Sequence, residues 1–327
     1  MKKKLIIILM IAIMGVVFAG CSKPEVLGTE KSDYSDVTIR FAQQYGMQYA
    51  PAYIMQRLGL LEKRLPGAKL EWTKFGGGSA MNEALISNQL DVAFMGIPPV
   101  LIAIDKGVDY RIACGICVPP AELIVRPDLG ISSLKDIKPE NKIAAPSIGS
   151  IQHIMLSMAS KKILGDANAF DKNLIAMANP DAYTALRSGT EVVAHFASMP
   201  YIDMEINDGM KSILTADDAG GGASIVCVAT KALNSNTKVY NELMAALGEA
   251  IELINKQDEE AVKIISETEK ISIEAAKKYI AWPGTKYTTD LYRVDELAEF
   301  MYEAGYIKNK SKGFDSMTWE GAESAGK

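Results

Sequence analysis

Histidine is almost missing from this chain, with only His153 and His195 among 327 residues. A zinc centre draws on several histidines or cysteines at fixed spacing, and neither H-E-x-x-H nor a paired cysteine cluster occurs. G-x-S-x-G and G-x-x-x-x-G-K-[ST] are also absent, so the serine-hydrolase elbow and the nucleotide-binding loop have no sequence support. An excess of positive charge is missing: the formal net charge is -5 and the pI about 5.3, so no basic face for nucleic acid is advertised. Solenoid-period repeats and low-complexity tracts are lacking. Four cysteines occur, at 21, 114, 117 and 227. The Cys114-Gly-Ile-Cys117 spacing has no second C-x-x-C for zinc. It lies late in an apolar, strand-like run, whereas a redox C-x-x-C opens a helix whose dipole lowers a thiol pKa. Buried thiols without redox or metal chemistry are expected there.

What is present starts at the N-terminus. Lys2, Lys3 and Lys4 precede an uncharged apolar run from Leu5 to Phe18. That run is shorter than the roughly 20 residues of a bilayer span and suits a signal-peptide h-region. Phe18-Ala19-Gly20-Cys21 follows, small residues before a cysteine, which resembles a lipoprotein cleavage box. Residues 1–20 therefore read as a lipoprotein signal peptide, Cys21 as the lipidated residue, and 21–36 as a polar tether. No other stretch is long enough to span a membrane.

From Val37 onward, strand, loop and helix alternate. Strand patterns cover Val37–Phe41, Ala68–Trp72, Leu90–Phe94 and Tyr110–Val118, with helices between them. This rhythm predicts a mostly parallel sheet flanked by helices. It restarts after Pro119-Pro120, with strands at Leu123–Val125, Lys142–Ala145, Leu174–Met177 and Val192–Phe196, and helices at Ile131–Ile137, from Ser150 through Leu164, and at Pro180–Ser188. Gly220-Gly221-Gly222 before the apolar Ile225–Ala229 reads as a hinge or crossing point. The remainder is helical. Val239, Leu243, Leu247, Ala250, Ile251 and Ile254 recur at three- and four-residue steps, the mark of one buried face.

Three turns share one design of strand, small or polar residues, then helix: Phe75–Ser79, Met95–Pro99 and Ala145–Ser150. At the carboxyl ends of parallel strands such turns bind ligands, because the first helical N–H groups point outward unpaired. As plain structure, Ser79 and Ser150 are N-caps that stabilise their helices by about 1 kcal/mol. Three such turns in one chain point to a cleft. No lysine or arginine lies within the predicted cleft loops, which instead carry Tyr45, Phe75, His153, Tyr183, His195, Phe196 and Tyr201. A multiply charged anion needs an arginine fork or a lysine. The expected ligand is therefore small, organic, and neutral or singly anionic.

At these residues the sequence resembles a known group, the nitrate/sulfonate/taurine (NitT/TauT-type) solute-binding proteins of ABC transporters, which have the type 2 periplasmic-binding fold. The resemblance is carried by Leu58-Gly-Leu-Leu-Glu-Lys63, by Phe75-Gly-Gly-Gly-Ser79-Ala80 with Glu83-Ala84-Leu85, by Gln89–Pro99, by Gly130–Ile137, and by Lys142–Pro146 with Gly149-Ser150. It spans roughly 37–305 and rests on the order and spacing of motifs that are weak singly. It implies an α/β fold of two lobes with mostly parallel sheets and two hinge strands. Lobe 1 is then discontinuous, 37–118 and 223–327, and lobe 2 is 119–222. It implies ligand-facing positions at Gln44, Tyr45, Phe75, Gly78, Ser79, Ala80, Gly96, Ile97, Pro98, Ser147, Ser150, Ile151, Gln152, His153, Asn179, His195, Phe196 and Tyr201. His195-Phe-Ala-Ser-Met-Pro-Tyr201 stands where many members have an aromatic-rich segment with Trp before Pro, which weighs against a strict sulfonate or taurine assignment and keeps a heteroaromatic such as a pyrimidine in view. It also implies that Cys227 lies beside the strand bearing Cys114 and Cys117, close enough for a disulfide. The function implied is an extracytoplasmic, lipid-anchored, monomeric receptor that delivers its ligand to a permease and an ATPase, with no cofactor, no metal and no catalytic residue. The alternatives are a pyrimidine-synthase-like enzyme on the same fold and a lipoprotein that senses without transporting.

Overall fold

The computed structural model describes residues 33–189 and 191–325. Two five-stranded sheets organise the chain. The first contains β1 (Thr38–Gln43), β2 (Lys69–Lys74), β3 (Val92–Gly96), β4 (Tyr110–Cys117) and, from far along the chain, β10 (Ile225–Thr230), in the order β2-β1-β3-β10-β4. The second contains β5 (Glu122–Val125), β6 (Lys142–Ala145), β7 (Leu174–Ala176), β8 (Val192–Ala197) and β9 (Lys211–Thr215), in the order β7-β6-β8-β5-β9. Each sheet has one reversed strand. β10 runs antiparallel to both β3 and β4, and β5 antiparallel to both β8 and β9. The remaining pairs, β1 with β2 and β3, and β6 with β7 and β8, are parallel. The expected mostly parallel α/β architecture with two sheets is what the chain adopts.

Burial explains the strand patterns. β3 and β8 are buried at every position, as strands covered on both faces must be. β1 shows Ile39 and Phe41 fully buried, with Phe41 stacked on Trp72 of β2 at 4.3 Å between ring centroids. The free edge of β4 is covered: Gly115 N–H donates to the Thr289 carbonyl (2.8 Å), and Val118 and Lys286 exchange two backbone hydrogen bonds. An uncovered edge would invite pairing with another chain.

The helices before β10 are α1 (Ala50–Arg57), α2 (Leu60–Arg64), α3 (Gly78–Ile86), α4 (Ile97–Asp105), α5 (Ile151–Leu164), α6 (Asn179–Ser188) and α7 (Tyr201–Asn207). Those after β10 are α8 (Lys231–Ser235), α9 (Thr237–Asn255), α10 (Glu259–Glu269), α11 (Ile273–Ile280) and α12 (Val294–Glu303). The six residues expected to form one face of α9 are all buried there. Side-chain caps start α9, α10 and α11: Asn236, Asp258 and Ser272 each accept a first-turn N–H.

Three local features differ from expectation. The helical stretch from Ala50, expected to end near Gly59, does so, and Gly59 with a φ of 60° starts a second short helix that was not expected. Ile131–Ile137 contains only a 3-10 turn, Leu134–Asp136, because the Ser133/Asp136 capping box closes a segment too short for a regular helix. α7 and β9 were not anticipated, since both are short and half polar. Cys21 and the expected signal peptide lie outside the described residues. Among the described residues no helix is long and apolar enough to cross a membrane.

Candidate functional site

The carboxyl ends of the parallel strands in the two sheets face each other. β2 leads through Phe75–Gly77 into α3, β3 runs directly into α4, β6 leads through Pro146–Ser150 into α5, and β7 leads to α6. The approach is close enough to require glycine. A Cβ on Gly77 would stand 2.4 Å from the Pro146 carbonyl oxygen and 2.9 Å from Ser147 Cβ. A Cβ on Gly96 would stand 2.8 Å from Ile151 Cβ. Neither glycine needs its conformational freedom, since Gly77 is extended (φ -170°) and Gly96 has φ -69°. Their missing side chains serve the contact between the two halves. A backbone hydrogen bond also crosses, from Met47 N–H to the Met199 carbonyl at 3.1 Å.

Four helix N-termini meet at this contact. α3 and α4 begin at Gly77 and Gly96 on one side, and α5 and α6 at Ser150 and Ala178 on the other, with Ala178 Cβ 3.6 Å from where a Gly76 Cβ would lie. No acidic residue occupies the first turn of α3, α4 or α5, so nothing within those helices offsets the positive end of the dipole. Each such end favours a negative charge by about 0.3–2 kcal/mol. The Ser147 hydroxyl, 2% exposed, sits beside Gly77 and has no hydrogen-bond partner among the described residues. The Gln48 side-chain carbonyl, on a residue 3% exposed, is likewise unpartnered. Buried polar atoms are normally satisfied, so the Ser147 orphan at this contact marks a place for a polar ligand atom.

An aromatic and charged rim adjoins it. Tyr201 lies 6.2 Å from Tyr183 and 6.4 Å from His195 between ring centroids. Lys74 Nζ sits 4.2 Å from the Tyr45 ring centroid. Burial lowers the Lys74 pKa, against the opposing charge of Glu269. Burial raises the Glu269 pKa, offset in part by the Tyr53 hydroxyl (2.7 Å), the Lys74 charge and the Gly46 N–H. Tyr53 OH also lies against the Gly46 carbonyl, with its single proton shared between that oxygen and Glu269, so the turn after β1 is held from behind by two side chains. Lys74, Tyr53, Glu269 and Gln48 were absent from the expected site. Lys74 is one residue outside the loops judged free of cations, and its closeness to Phe75 was the available signal.

Of the expected residues, Gly96 faces Ile151 and Ser147 faces Gly77 at the contact, Ser79 lines a groove with Ile148 and His153, and Tyr45 lies beneath Lys74, while Phe75, Gly78, Ala80, Ile97, Pro98 and Ser150 belong to the same strand-to-helix turns. Tyr45, Ser79 and Ala80 are exposed, Phe75 is half-buried, and the others are buried. Gln44 faces inward, its amide donating to the Phe94 carbonyl at 3.1 Å. Gln152 follows Ile151 in the first turn of α5 and is buried. Ser150 caps α5 by accepting the His153 N–H. His153 lines a groove of about 470 Å³ that also touches Ser79, Pro99, Ile148 and Tyr306. Its ring is already committed: Nδ1 accepts the Gly149 N–H (2.9 Å), so Nε2 carries the proton and donates to Asp171 (3.0 Å). Burial lowers the His153 pKa, partly offset by Asp171.

His195 and Phe196 sit side by side on β8. Both are fully buried. Successive strand side chains point to opposite faces, so one strand cannot present both rings to one ligand. His195 Nε2 faces Asn179 Oδ1 at 3.2 Å, Asn179 Nδ2 donates to Ser198 Oγ at 3.3 Å, and His195 Nδ1 is 2.6 Å from Glu205 Oε1. His195 is thus held between Asn179 and Glu205 with the Tyr201 ring nearby, and Phe196 is buried in the hydrophobic core. Among the described residues no group of three or more His, Cys, Asp or Glu is placed to hold a metal.

The geometry matches known folds. The aliphatic sulphonate binding protein SsuA of Escherichia coli superposes with a TM-score of 0.66 at 22% identity, covering 89% of this chain and 94% of that one. SsuA of Xanthomonas axonopodis pv. citri, bound to MOPS, gives 0.69 at 19% identity over 84% and 95%. The nitrate-binding protein NrtA of Synechocystis PCC 6803 gives 0.68 at 15% identity over 86% and 84%. These likenesses show the periplasmic binding protein fold. No curated protein sequence matches the chain. The NMT1-like family profile matches residues 30–267, and with most of the chain so covered, the protein belongs to the NMT1-like family.

Proposed function

We propose that this chain is the solute-binding subunit of an ABC importer, acting outside the cytoplasm and closing two lobes on a small organic ligand that is neutral or carries one negative charge. Lobe 1 is 37–118 with 223–327, and lobe 2 is 119–222. The observation that carries the reading is the meeting of four helix N-termini, two from each sheet, across glycines that have no backbone need to be glycine. Such ends hold a partial or single negative charge without an arginine. The sulphonate- and nitrate-binding neighbours have ligands of that charge. Tyr45, Phe75 and Tyr201 supply flat apolar faces for an organic body, as a sulfonate with an organic tail or a heteroaromatic ring such as a pyrimidine would offer. The orphan Ser147 hydroxyl completes the polar contacts. Delivery to a permease and an ATPase follows from the role, and lipid on Cys21 keeps the receptor at the membrane.

A thermal-shift panel of methanesulfonate, taurine, nitrate, bicarbonate, uracil, thymine and phosphate esters tests this reading. A ligand at 100 times its Kd adds about 2.7 kcal/mol of stability. A saturable shift with a monoanion or a neutral ring is expected. Tight binding of a phosphate ester, or turnover of any compound in the panel, would overturn it. Cys21→Ala is expected to shift the protein from the membrane to the soluble fraction; retention in membranes would refute the anchor.

A further inference from the structure

The strands that connect the two sheets carry thiols for which solute binding has no use. β4 leads out of the first sheet and β10 returns to it, side by side and antiparallel, with Cys114 directly opposite Cys227 in the register. Opposed residues in such a pair have Cβ atoms about 4.5–5.5 Å apart, which meets the upper end of the span a disulfide bridges. Cys117 does not compete. It pairs with Ile225 beyond an irregularity in the register and lies near Tyr49 and Tyr287, whereas Cys114 and Cys227 both lie near Tyr240 of α9. The C-x-x-C spacing thus joins two thiols with different surroundings, and the true neighbour of Cys114 comes from the returning strand.

Access is one-sided. Cys227 is fully buried, while Cys114 lines a surface cavity of about 410 Å³ with Tyr240, Asn241, Met244 and Thr289. We propose that Cys114 and Cys227 form a reversible disulfide tying the outgoing strand to the returning one, made by exchange with a low-molecular-weight disulfide that enters through this cavity. The Cys114 thiolate attacks one sulfur of the reagent, breaking its S–S bond and releasing one reagent thiolate. The Cys227 thiolate then attacks the Cys114 sulfur of the mixed disulfide and releases the second. Two protein thiols are oxidised, one reagent disulfide is reduced to two thiols, and the protein protons pass to the departing thiolates. Burial holds the Cys227 thiol well above its ordinary pKa, which makes the second step the slow one. An extracytoplasmic setting permits the bond to persist. The inference stands on the strand register and does not depend on which ligand binds.

The full chain, purified reduced, would be incubated with glutathione disulfide, quenched with N-ethylmaleimide and mapped by peptide mass spectrometry. The expected product is one linked peptide pair joining 114 to 227, with Cys117 recovered alkylated after denaturation. Cys114→Ser and Cys227→Ser should each abolish the link, and Cys117→Ala should leave it. The urea midpoint of the oxidised parent should rise and return on reduction, with no such change in Cys114→Ser. Recovery of both thiols alkylated after prolonged native oxidation, or a link from 114 to 117 instead, would overturn the proposal.

Discussion

His195 Nδ1 and Glu205 Oε1 lie 2.6 Å apart, and neither side chain has any solvent exposure. The other carboxyl oxygen of Glu205 has no partner among the described residues, so this one contact carries the group. Removing one partner of a buried hydrogen-bonded pair leaves the other unsatisfied, at a cost of about 1–3 kcal/mol. His195→Ala and Glu205→Ala are each expected to lower the urea midpoint strongly, and the double substitution to cost less than the sum. Single variants that keep the parental midpoint would show that the pair is not an energetic unit.

Gly77→Ala and Gly96→Ala test whether glycine serves the approach of the two halves. Alanine suits both backbone conformations, so clashes with Pro146 and Ile151 are the main penalty. Each substitution is expected to weaken ligand binding about tenfold or more, equivalent to roughly 1.4 kcal/mol, and to enlarge the radius of gyration in small-angle scattering. Unchanged affinity and dimensions would remove the closure argument.

Ser147→Ala removes a buried hydroxyl that no described residue satisfies. Loss of one neutral ligand hydrogen bond costs about 0.5–1.5 kcal/mol. Calorimetry is expected to show up to tenfold weaker binding, while the melting temperature of the free protein holds or rises. A fall in that temperature without a change in affinity would assign Ser147 to structure alone.

Asp203 of α7 joins the late helices, with Lys278 Nζ at 2.9 Å and Tyr279 OH at 2.6 Å. Burial opposes its ionisation but is outweighed by Tyr279, Lys278 and Asn207, and the pKa falls below the ordinary 3.8. A depressed carboxyl contributes stability that is fully present above the unfolded value and lost as pH falls through the folded one. Asp203→Asn is therefore expected to be less stable than the parent at pH 7, with the difference closing below about pH 4. A difference that persists undiminished in acid would assign it to packing.

Much of this protein was written locally. Alternating Ile39 and Phe41, the apolar stripe of α9, the proline in the first turn of α4 and the Ser150 cap each act within a few residues, so periodicity and turn chemistry reveal them. The strand-to-helix turns were legible for the same reason, and Gly77, Gly96 and Ser147 lie within or beside them. Short α7 and β9 were not, because a few half-polar residues carry no clear period. Tertiary structure alone decided the rest. It inserted β10 between β3 and β4, which set Cys227 against Cys114. It placed Glu205 and Asn179 on either side of His195. It brought Glu269 to Tyr53 across 216 residues and set Lys74 over Tyr45. Those partners are fixed by packing and desolvation between distant segments, and no local pattern records which buried polar group will meet which.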